Sequence, residues 1–243
     1  MSDLRTMEIY LVTGANRGIG LALTQELIAS GKVVVIAGCR NPEAAVDLKQ
    51  LASERPDAID LIRCDLANEQ TLRSVAEEVR ERRRKLDVIV NNGAIMPEKG
   101  DESILEIDLS LVSNAFDTNV LGQARVIRAF YPMLTESDRP RIVNVSSALG
   151  SISDREGYDY YPYAISKAAL NMLTRSMAFE LGQKGVTVVA ISPGWVRTDM
   201  GGQAAPLSPQ ESARSLAATI EKLGPAHNGQ FLSRDGKSGE YLW

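Results

Sequence analysis

The sequence is poor in the residues that build disulfide frameworks and metal sites. In 243 residues it contains two cysteines, Cys39 and Cys64, and one histidine, His227. This set is too small for a disulfide framework or a structural zinc cluster, so we expect no metal. A catalytic triad with a histidine base would depend on His227, which lies beside Asn228 and Gly229 in a segment typical of a loop. The composition therefore argues against both histidine and metal chemistry.

The chain also lacks long apolar stretches. No run reaches the roughly 18 apolar residues that a membrane span needs, and residues 1–5 contain no apolar signal core. The net charge of −4 argues against a nucleic-acid or anionic membrane surface. The short basic run at residues 80–85 is better explained as a solvated helix face. We expect a cytoplasmic protein with no nucleic-acid or membrane partner.

The pattern that is present is an alternation of strands and helices. Short apolar runs predict strands at residues 9–12, 33–37, 59–62, 86–90, 141–145, 186–191 and 229–232. Helical spacing lies between them, at residues 19–29, 42–53, 68–84, 109–134, 161–183 and 209–223. Strands this apolar are buried on both faces, as in a parallel sheet with helices on each side. We predict an α/β, three-layer, doubly wound (Rossmann) fold with one seven-stranded parallel sheet, as a single domain over residues 1–243.

Ligands of such sheets bind beyond the carboxyl ends of the strands. After the first strand the chain reads Thr-Gly-Ala-Asn-Arg-Gly-Ile-Gly at residues 13–20. Gly14 permits a tight turn, while Gly18 and Gly20 remove side chains where a pyrophosphate approaches and where helix packs on strand. The amides at the helix start then favour an anion. An ordinary tight turn is the alternative. The predicted cofactor loop comprises Gly14, Asn16, Arg17, Gly18, Ile19 and Gly20.

The end of the second strand bears on the cofactor type. Proteins that prefer NAD place an acidic residue there to hold the ribose 2′-hydroxyl. This chain has Ala-Gly-Cys-Arg-Asn at residues 37–41, with no acid. Arg40 and Arg17 together suit a 2′-phosphate, because a guanidinium fork matches phosphate oxygens. We therefore expect NADP(H) in preference to NAD(H), the alternative being that Arg40 is a surface charge. Cys39 is interpreted as a packing residue.

Three further strand ends supply candidate cofactor contacts. Asp65 could accept a hydrogen bond from an adenine amino group while Leu66 lies on the ring, although Asp65 could equally cap the next helix. The segment after the sixth strand could shape the nicotinamide pocket. These candidates are Asp65, Leu66, Asn91, Gly93, Pro193, Val196 and Thr198.

The candidate catalytic pair is Tyr163 and Lys167. Residues at i and i+4 share a helix face. A tyrosine hydroxyl titrates near pH 10 and is a poor acid or base at neutral pH, but a nearby cation favours the phenolate. We therefore expect Lys167 to lower the pKa of Tyr163, so that it exchanges a proton with a carbonyl or alcohol oxygen. Without its context, the same spacing would indicate only two helix-surface residues.

Two polar residues supply that context. Ser147 follows the fifth strand, where a hydroxyl can stabilise charge on a substrate oxygen. Asn119 lies inside a long apolar helix, where its amide must find partners. One use of that amide is to hold a water that connects to Lys167.

These motifs together resemble the short-chain dehydrogenase/reductase family over nearly the whole chain, and most closely its C-factor and sniffer-type carbonyl reductases. The resemblance implies a catalytic tetrad of Asn119, Ser147, Tyr163 and Lys167, and it implies that Tyr163 and Lys167 also contact the cofactor. It further implies hydride transfer between NADP(H) and a small-molecule carbonyl or alcohol by a homodimer or homotetramer. The alternative is an NADP(H)-binding signalling or sensor protein of the C-factor type with little turnover.

The sequence departs from the family pattern in two places. The family usually has Asn-Asn-Ala-Gly after the fourth strand, whereas this chain has Gly93 and Ala94 in the reverse order, so local dihedral angles could differ and cofactor affinity could suffer. Ser147 and Tyr163 are 16 positions apart, a few more than in many members. We interpret the additional residues, around 154–159, as a loop at the entrance to the substrate site. The sequence does not identify the substrate.

Overall fold

The structure is a computed structural model that describes residues 7–98, 100 and 102–243. Its strands are β1 (Glu8–Thr13), β2 (Val33–Cys39), β3 (Ile59–Arg63), β4 (Val88–Asn91), β5 (Arg141–Val145), β6 (Thr187–Ser192) and β7 (Phe231–Ser233). Its α-helices are α1 (Gly18–Ala29), α2 (Val46–Glu54), α3 (Glu69–Arg82), α4 (Ser110–Phe116), α5 (Gly122–Leu134), α6 (Tyr161–Gly182) and α7 (Pro209–Lys222). The prediction that residues 1–5 contain no signal core concerns residues outside the described part.

The strands form one parallel sheet in the order β3-β2-β1-β4-β5-β6-β7. Its two faces are covered by separate apolar clusters. One contains Leu23 of α1 and Leu216 of α7, and the other contains Phe130 of α5 and Leu181 of α6. The predicted three-layer doubly wound fold is therefore confirmed. No helix in the described ranges is both long and apolar enough to cross a membrane.

The strand order reverses direction between β1 and β4, and this switch point positions the candidate site. Thr13 Oγ1 accepts hydrogen bonds from the backbone amides of Asn92 (3.1 Å) and Gly93 (2.9 Å). The side-chain Nδ2 of Asn92 in turn donates to the backbone oxygen of Thr13 at 2.9 Å. The carboxyl ends of β1 and β4 are thus joined, and the loops that follow them border one crevice.

Two predicted helices differ from the structure. Residues 42–44 form a 3₁₀ turn, and α2 begins only at Val46, because Pro42 starts a separate short turn. The long helix predicted over 109–134 is interrupted by a π-helical turn at Asp117–Leu121. Such a turn widens the helix locally without changing its apolar character, so hydrophobic spacing does not reveal it.

Candidate active site

The glycine-rich loop after β1 forms a cradle with no room for side chains. Gly14 has a φ of +65°, and a Cβ atom there would lie 2.7 Å from the Cα atom of Gly93. A Cβ atom on Gly20 would collide with the backbone oxygen of Gly14. Helix α1 begins at Gly18 with no acidic residue in its first turn, and no described side chain caps it. Its first amides are therefore available to an anion, and the cradle fits a dinucleotide pyrophosphate.

The two arginines predicted to share a 2′-phosphate have different surroundings. Arg40 is exposed just beyond β2. Arg17 instead forms a 2.7 Å ion pair with Asp199, and both side chains are mostly exposed. A Cβ atom on Gly18 would lie 3.2 Å from Thr198 Cγ2, so the loop after β6 lies against the start of α1. Of these two arginines, Arg17 forms an ion pair, whereas Arg40 forms none with any described residue.

The alternative role for Asp65 as a helix cap is wrong. Helix α3 is capped by Asn68, whose side chain accepts from the amide of Thr71 at 2.9 Å. Asp65 Oδ1 accepts from the amide of Ala67 at 3.2 Å and is partly exposed. Leu66 lies beside Gly93, where an added Cβ atom would be 3.1 Å from Leu66 Cδ1. Leu66 thus lies beside the glycine cradle, and the adenine contacts of Asp65 and Leu66 stay a prediction.

The exchanged order of Gly93 and Ala94 introduces no backbone strain. Neither residue has a positive φ, so neither position requires a glycine for its conformation. Gly93 packs on Gly14, which explains why a small residue is useful at that position. Asn91 is fully buried and donates to Asn144 Oδ1 at 2.8 Å, so its amide nitrogen is directed toward β5.

Tyr163 and Lys167 lie side by side on the buried face of α6. Their exposed fractions are 9% and 2%. Lys167 Nζ is 5.4 Å from the centre of the Tyr163 ring and donates to the backbone oxygen of Val145 at 2.7 Å. Since Val145 ends β5, this hydrogen bond fixes the pair at the carboxyl edge of the sheet.

The two serines after β5 have different roles. Ser146 is buried and donates to Asn171 Oδ1 at 2.6 Å, which is a structural contact with α6. Ser147 is partly exposed and begins a 3₁₀ turn, with its Oγ accepting from the amide of Leu149 at 3.2 Å. The Ser147 side chain also acts on the Tyr163 phenol, lowering its pKa. Ser147 is therefore the serine that can steady a substrate oxygen.

Burial shifts the pKa values of the pair in the direction opposite to that predicted from spacing. Burial raises the pKa of Tyr163 to about 12, with Ser147 opposing and Glu98 reinforcing the shift. Burial also lowers the pKa of Lys167 to about 7. The prediction that Lys167 lowers the phenol pKa is thus wrong for the protein alone, because desolvation disfavours the charged form of both groups.

Asn119 lies at the centre of the π-helical turn and is fully buried. Its Oδ1 accepts from the amide of Ile95 at 2.8 Å, and its Nδ2 donates to the Ile95 oxygen (2.8 Å) and to Ser166 Oγ (2.9 Å). Both amide hydrogens are therefore committed to protein acceptors. The side chain thus joins the loop after β4 to α6. The relay water expected at Asn119 stays a prediction.

The segment after β6 is held against α7. Ser212 donates to the backbone oxygen of Pro193 at 2.8 Å, and Val196 is buried in a parallel bridge with Leu207. Thr198 Oγ1 contacts the Val196 oxygen at 3.4 Å. These contacts bring the predicted nicotinamide segment back over the crevice near Gly18.

The histidine and cysteines show structural roles. His227 Nδ1 accepts from the amide of Gly224 at 3.2 Å within a 3₁₀ turn. Cys39 and Cys64 are buried, and burial raises the pKa of both thiols. The interpretation of Cys39 as a packing residue agrees with this environment.

Sequence reasoning missed one buried acid beside the candidate catalytic pair. Glu98 Oε1 accepts from the backbone amide of Tyr163 at 2.7 Å. The two residues are 65 positions apart, and no local motif links them.

Comparison with known proteins shows the family to which this chain belongs. Residues 8–207 match the family model described as short chain dehydrogenase. The C-signal protein of Myxococcus xanthus is 37% identical over 62% of this chain and 90% of its own length. The carbonyl reductase Sniffer of D. melanogaster is 31% identical with a TM-score of 0.92, over 98% of this chain and 100% of its own. The NADPH-bound carbonyl reductase from chicken fatty liver is 33% identical with a TM-score of 0.90, over 98% of this chain and 99% of its own. The chain is thus an oxidoreductase that belongs to the short chain dehydrogenase family.

Proposed function

We propose that this protein reduces a small carbonyl compound to an alcohol with NADPH, with Tyr163 as the proton donor and residues 1–243 acting as one domain. The observation that carries the proposal is the placement of Tyr163, Lys167 and Ser147 at the carboxyl edge of the sheet that also holds the glycine cradle. NADPH, when bound, would supply the hydride. The substrate carbon accepts this hydride, and the substrate oxygen accepts the phenol proton of Tyr163.

Each member of the site has a defined part in this reaction. The Ser147 hydroxyl donates to the substrate oxygen and stabilises its developing charge. Lys167 is held by Val145 against the Tyr163 ring, and it orients the phenol. Asn119 acts through Ile95 and Ser166, which it ties together, so it positions the site and does not touch the substrate.

Cofactor consumption with a panel of aldehydes, ketones and quinones tests the proposal. Tyr163→Phe is expected to abolish turnover while NADPH binding persists, because only the proton donor is lost. Tyr161→Phe is the matched control, since this partly exposed neighbour has no lysine at i+4, and it should keep full activity. Full turnover by Tyr163→Phe would refute the proposed chemistry.

We propose NADP(H) as the preferred cofactor. No acidic residue follows β2 in positions 40 and 41, and Arg40 is exposed and free to meet a 2′-phosphate. Because Arg17 is paired with Asp199, we assign the larger contribution to Arg40. Arg40→Ala should lower kcat/KM for NADPH about tenfold and leave kcat/KM for NADH unchanged. A wild-type preference for NADH would overturn this assignment.

The similarity to the C-signal protein supports a second candidate, an NADP(H)-binding signalling protein with little turnover. Calorimetry with NADPH distinguishes the two. Tight NADPH binding without turnover of any carbonyl in the panel would favour the signalling role. The catalytic set of Tyr163, Lys167 and Ser147 favours the enzyme, since a sensor needs no proton donor.

We propose that the protein forms a homodimer or homotetramer through α6 and α4. The exposed face of α6 carries Ile165, Met172 and Phe179 at intervals of one heptad, and the last two are 68% and 66% exposed. Phe116 of α4 and Leu121 of the π-helical turn that follows it are also exposed. An apolar stripe of this kind is typical of a protein interface. Met172→Asp should convert the oligomer into a monomer in light-scattering measurements.

A further inference from the structure

Glu98 is a buried carboxylate with only half of its hydrogen-bonding capacity used. Its exposed fraction is 5%, and it lies in the loop between β4 and α4. Oε1 accepts from the backbone amide of Tyr163, whereas Oε2 is buried and has no hydrogen-bond partner among the described residues. A buried charge without full pairing is costly to a folded protein. Its presence beside the catalytic tyrosine therefore requires an explanation.

The start of α6 supplies part of that explanation. A helix N-terminus carries a partial positive charge, which stabilises an acidic group within its first turn. The same loop makes a second attachment, since the Gly100 backbone oxygen accepts from the amide of Tyr160 at 2.8 Å. Tyr160, which precedes α6, has a φ of +55° and is the one non-glycine residue with a positive φ in the described chain. The loop thus holds a strained helix start in place.

We propose that Glu98 is a positioning residue that keeps the proton on Tyr163 and so biases the site toward carbonyl reduction over alcohol oxidation. The proposal rests on the proposed function above. A negative charge on Glu98, which is held at the backbone amide of Tyr163, disfavours the phenolate of the same residue, because two like charges would then share a buried site. A protonated phenol is the form that donates in reduction, whereas oxidation of an alcohol requires the phenolate.

The other groups around Tyr163 leave Glu98 as the one described carboxylate that acts on it. Lys167 is the neighbouring basic group on α6 itself, and its burial lowers its pKa to about 7. The end of β5 contributes the uncharged Ser147, and the π-helical turn contributes the uncharged Asn119, which reaches α6 through Ser166. Burial, opposed by Ser147 and reinforced by Glu98, raises the pKa of Tyr163 to about 12. The contribution of Glu98 thus has the sign that the proposal requires.

Glu98→Gln tests this inference because it removes the charge and keeps an oxygen to accept from the Tyr163 amide. In carbonyl reduction, the alkaline limb of the kcat/KM profile should move to lower pH by about one pH unit. In alcohol oxidation at neutral pH, the rate should rise by up to about tenfold, since more phenolate is present. Glu102→Gln is the matched control, because this carboxylate is exposed on the same loop, and it should leave both profiles unchanged.

A merely structural role for Glu98 would lower the reduction rate and the oxidation rate together, without moving the alkaline limb of the reduction profile, and that result would overturn the proposal.

A second readout does not need turnover. In protein with ¹³C-labelled tyrosine and no cofactor, the Tyr163 ring signal is identified by its absence in Tyr163→Phe and titrated up to about pH 11.5. It should titrate at lower pH in Glu98→Gln than in wild type. An unchanged titration would refute the role of Glu98, whereas absent turnover with a displaced titration would refute only the proposed function.

Discussion

Replacing Lys167 with methionine should stabilise the cofactor-free protein at acidic pH. The lysine is almost fully buried, and burial lowers its pKa from 10.5 to about 7. Below pH 7 both the folded and the unfolded chain carry the charge, so the folded state bears the full cost of burying it. A pKa difference of this size corresponds to about 5 kcal/mol.

Methionine removes that charge but also loses the hydrogen bond to the Val145 oxygen. An acceptor left without its partner costs about 1–3 kcal/mol. Lys167→Met should therefore be more stable than wild type by about 2–4 kcal/mol near pH 6.

The advantage of Lys167→Met should shrink as the pH rises. Between pH 7 and 10.5 the unfolded lysine binds more protons than the folded one, so the stability of the wild type increases through this window. Near pH 10 the lost hydrogen bond remains, and the variant becomes the less stable protein. Urea unfolding at several pH values measures the difference, with Lys32→Met as the exposed control. A variant that is less stable than wild type at every pH would refute the reasoning.

Two further substitutions test the glycine cradle and the contacts of Asn119. Gly14→Ala should abolish NADPH binding in calorimetry, because its Cβ atom would lie 2.7 Å from Gly93, whereas Gly31→Ala has a similar φ but open space around it and should keep binding. Retained affinity in Gly14→Ala would contradict the cradle. Asn119→Ala should cost about 2–3 kcal/mol of unfolding free energy and lower kcat more than NADPH affinity, because both backbone groups of Ile95 lose a partner. Denaturation and steady-state kinetics measure the two effects, and an unchanged kcat would show that the loop after β4 is held without Asn119.

The sheet could be predicted from the sequence because its signal is local. Each central strand is an apolar run, and seven such runs alternate with helical spacing, which allows few topologies. Strand β5 was predicted with its bounds, whereas β4 begins at Val88 and not at residue 86. Leu86 is apolar and buried, but its amide donates to Met133 of α5, outside the sheet ladder. An apolar residue in the sequence indicates that the side chain is buried, but it does not indicate which group its backbone amide binds.

The parts of the site that sequence reasoning missed depend on contacts between distant residues. Glycine spacing and the i, i+4 pair are visible locally, and both predictions fit the geometry. The pairing of Arg17 with Asp199 joins residues 182 positions apart, and Glu98 reaches Tyr163 across 65. Neither contact is marked by a motif in the sequence. The contact between Asn119 and Ile95 was also missed, since the π-helical turn that places the Asn119 amide there is not visible in the apolar pattern.

The direction in which burial shifts the pKa values of Tyr163 and Lys167 determines the protonation state of the site at neutral pH. From spacing alone, a charged Lys167 would draw the proton from Tyr163. In the folded protein, burial acts on both side chains, so between about pH 7 and pH 12 the lysine is neutral and the phenol keeps its proton. A protonated phenol beside a neutral amine is prepared to donate to a carbonyl oxygen, which is the direction that Glu98 also favours. The burial that reduces folding stability at Lys167 is therefore the same burial that holds the proton on Tyr163.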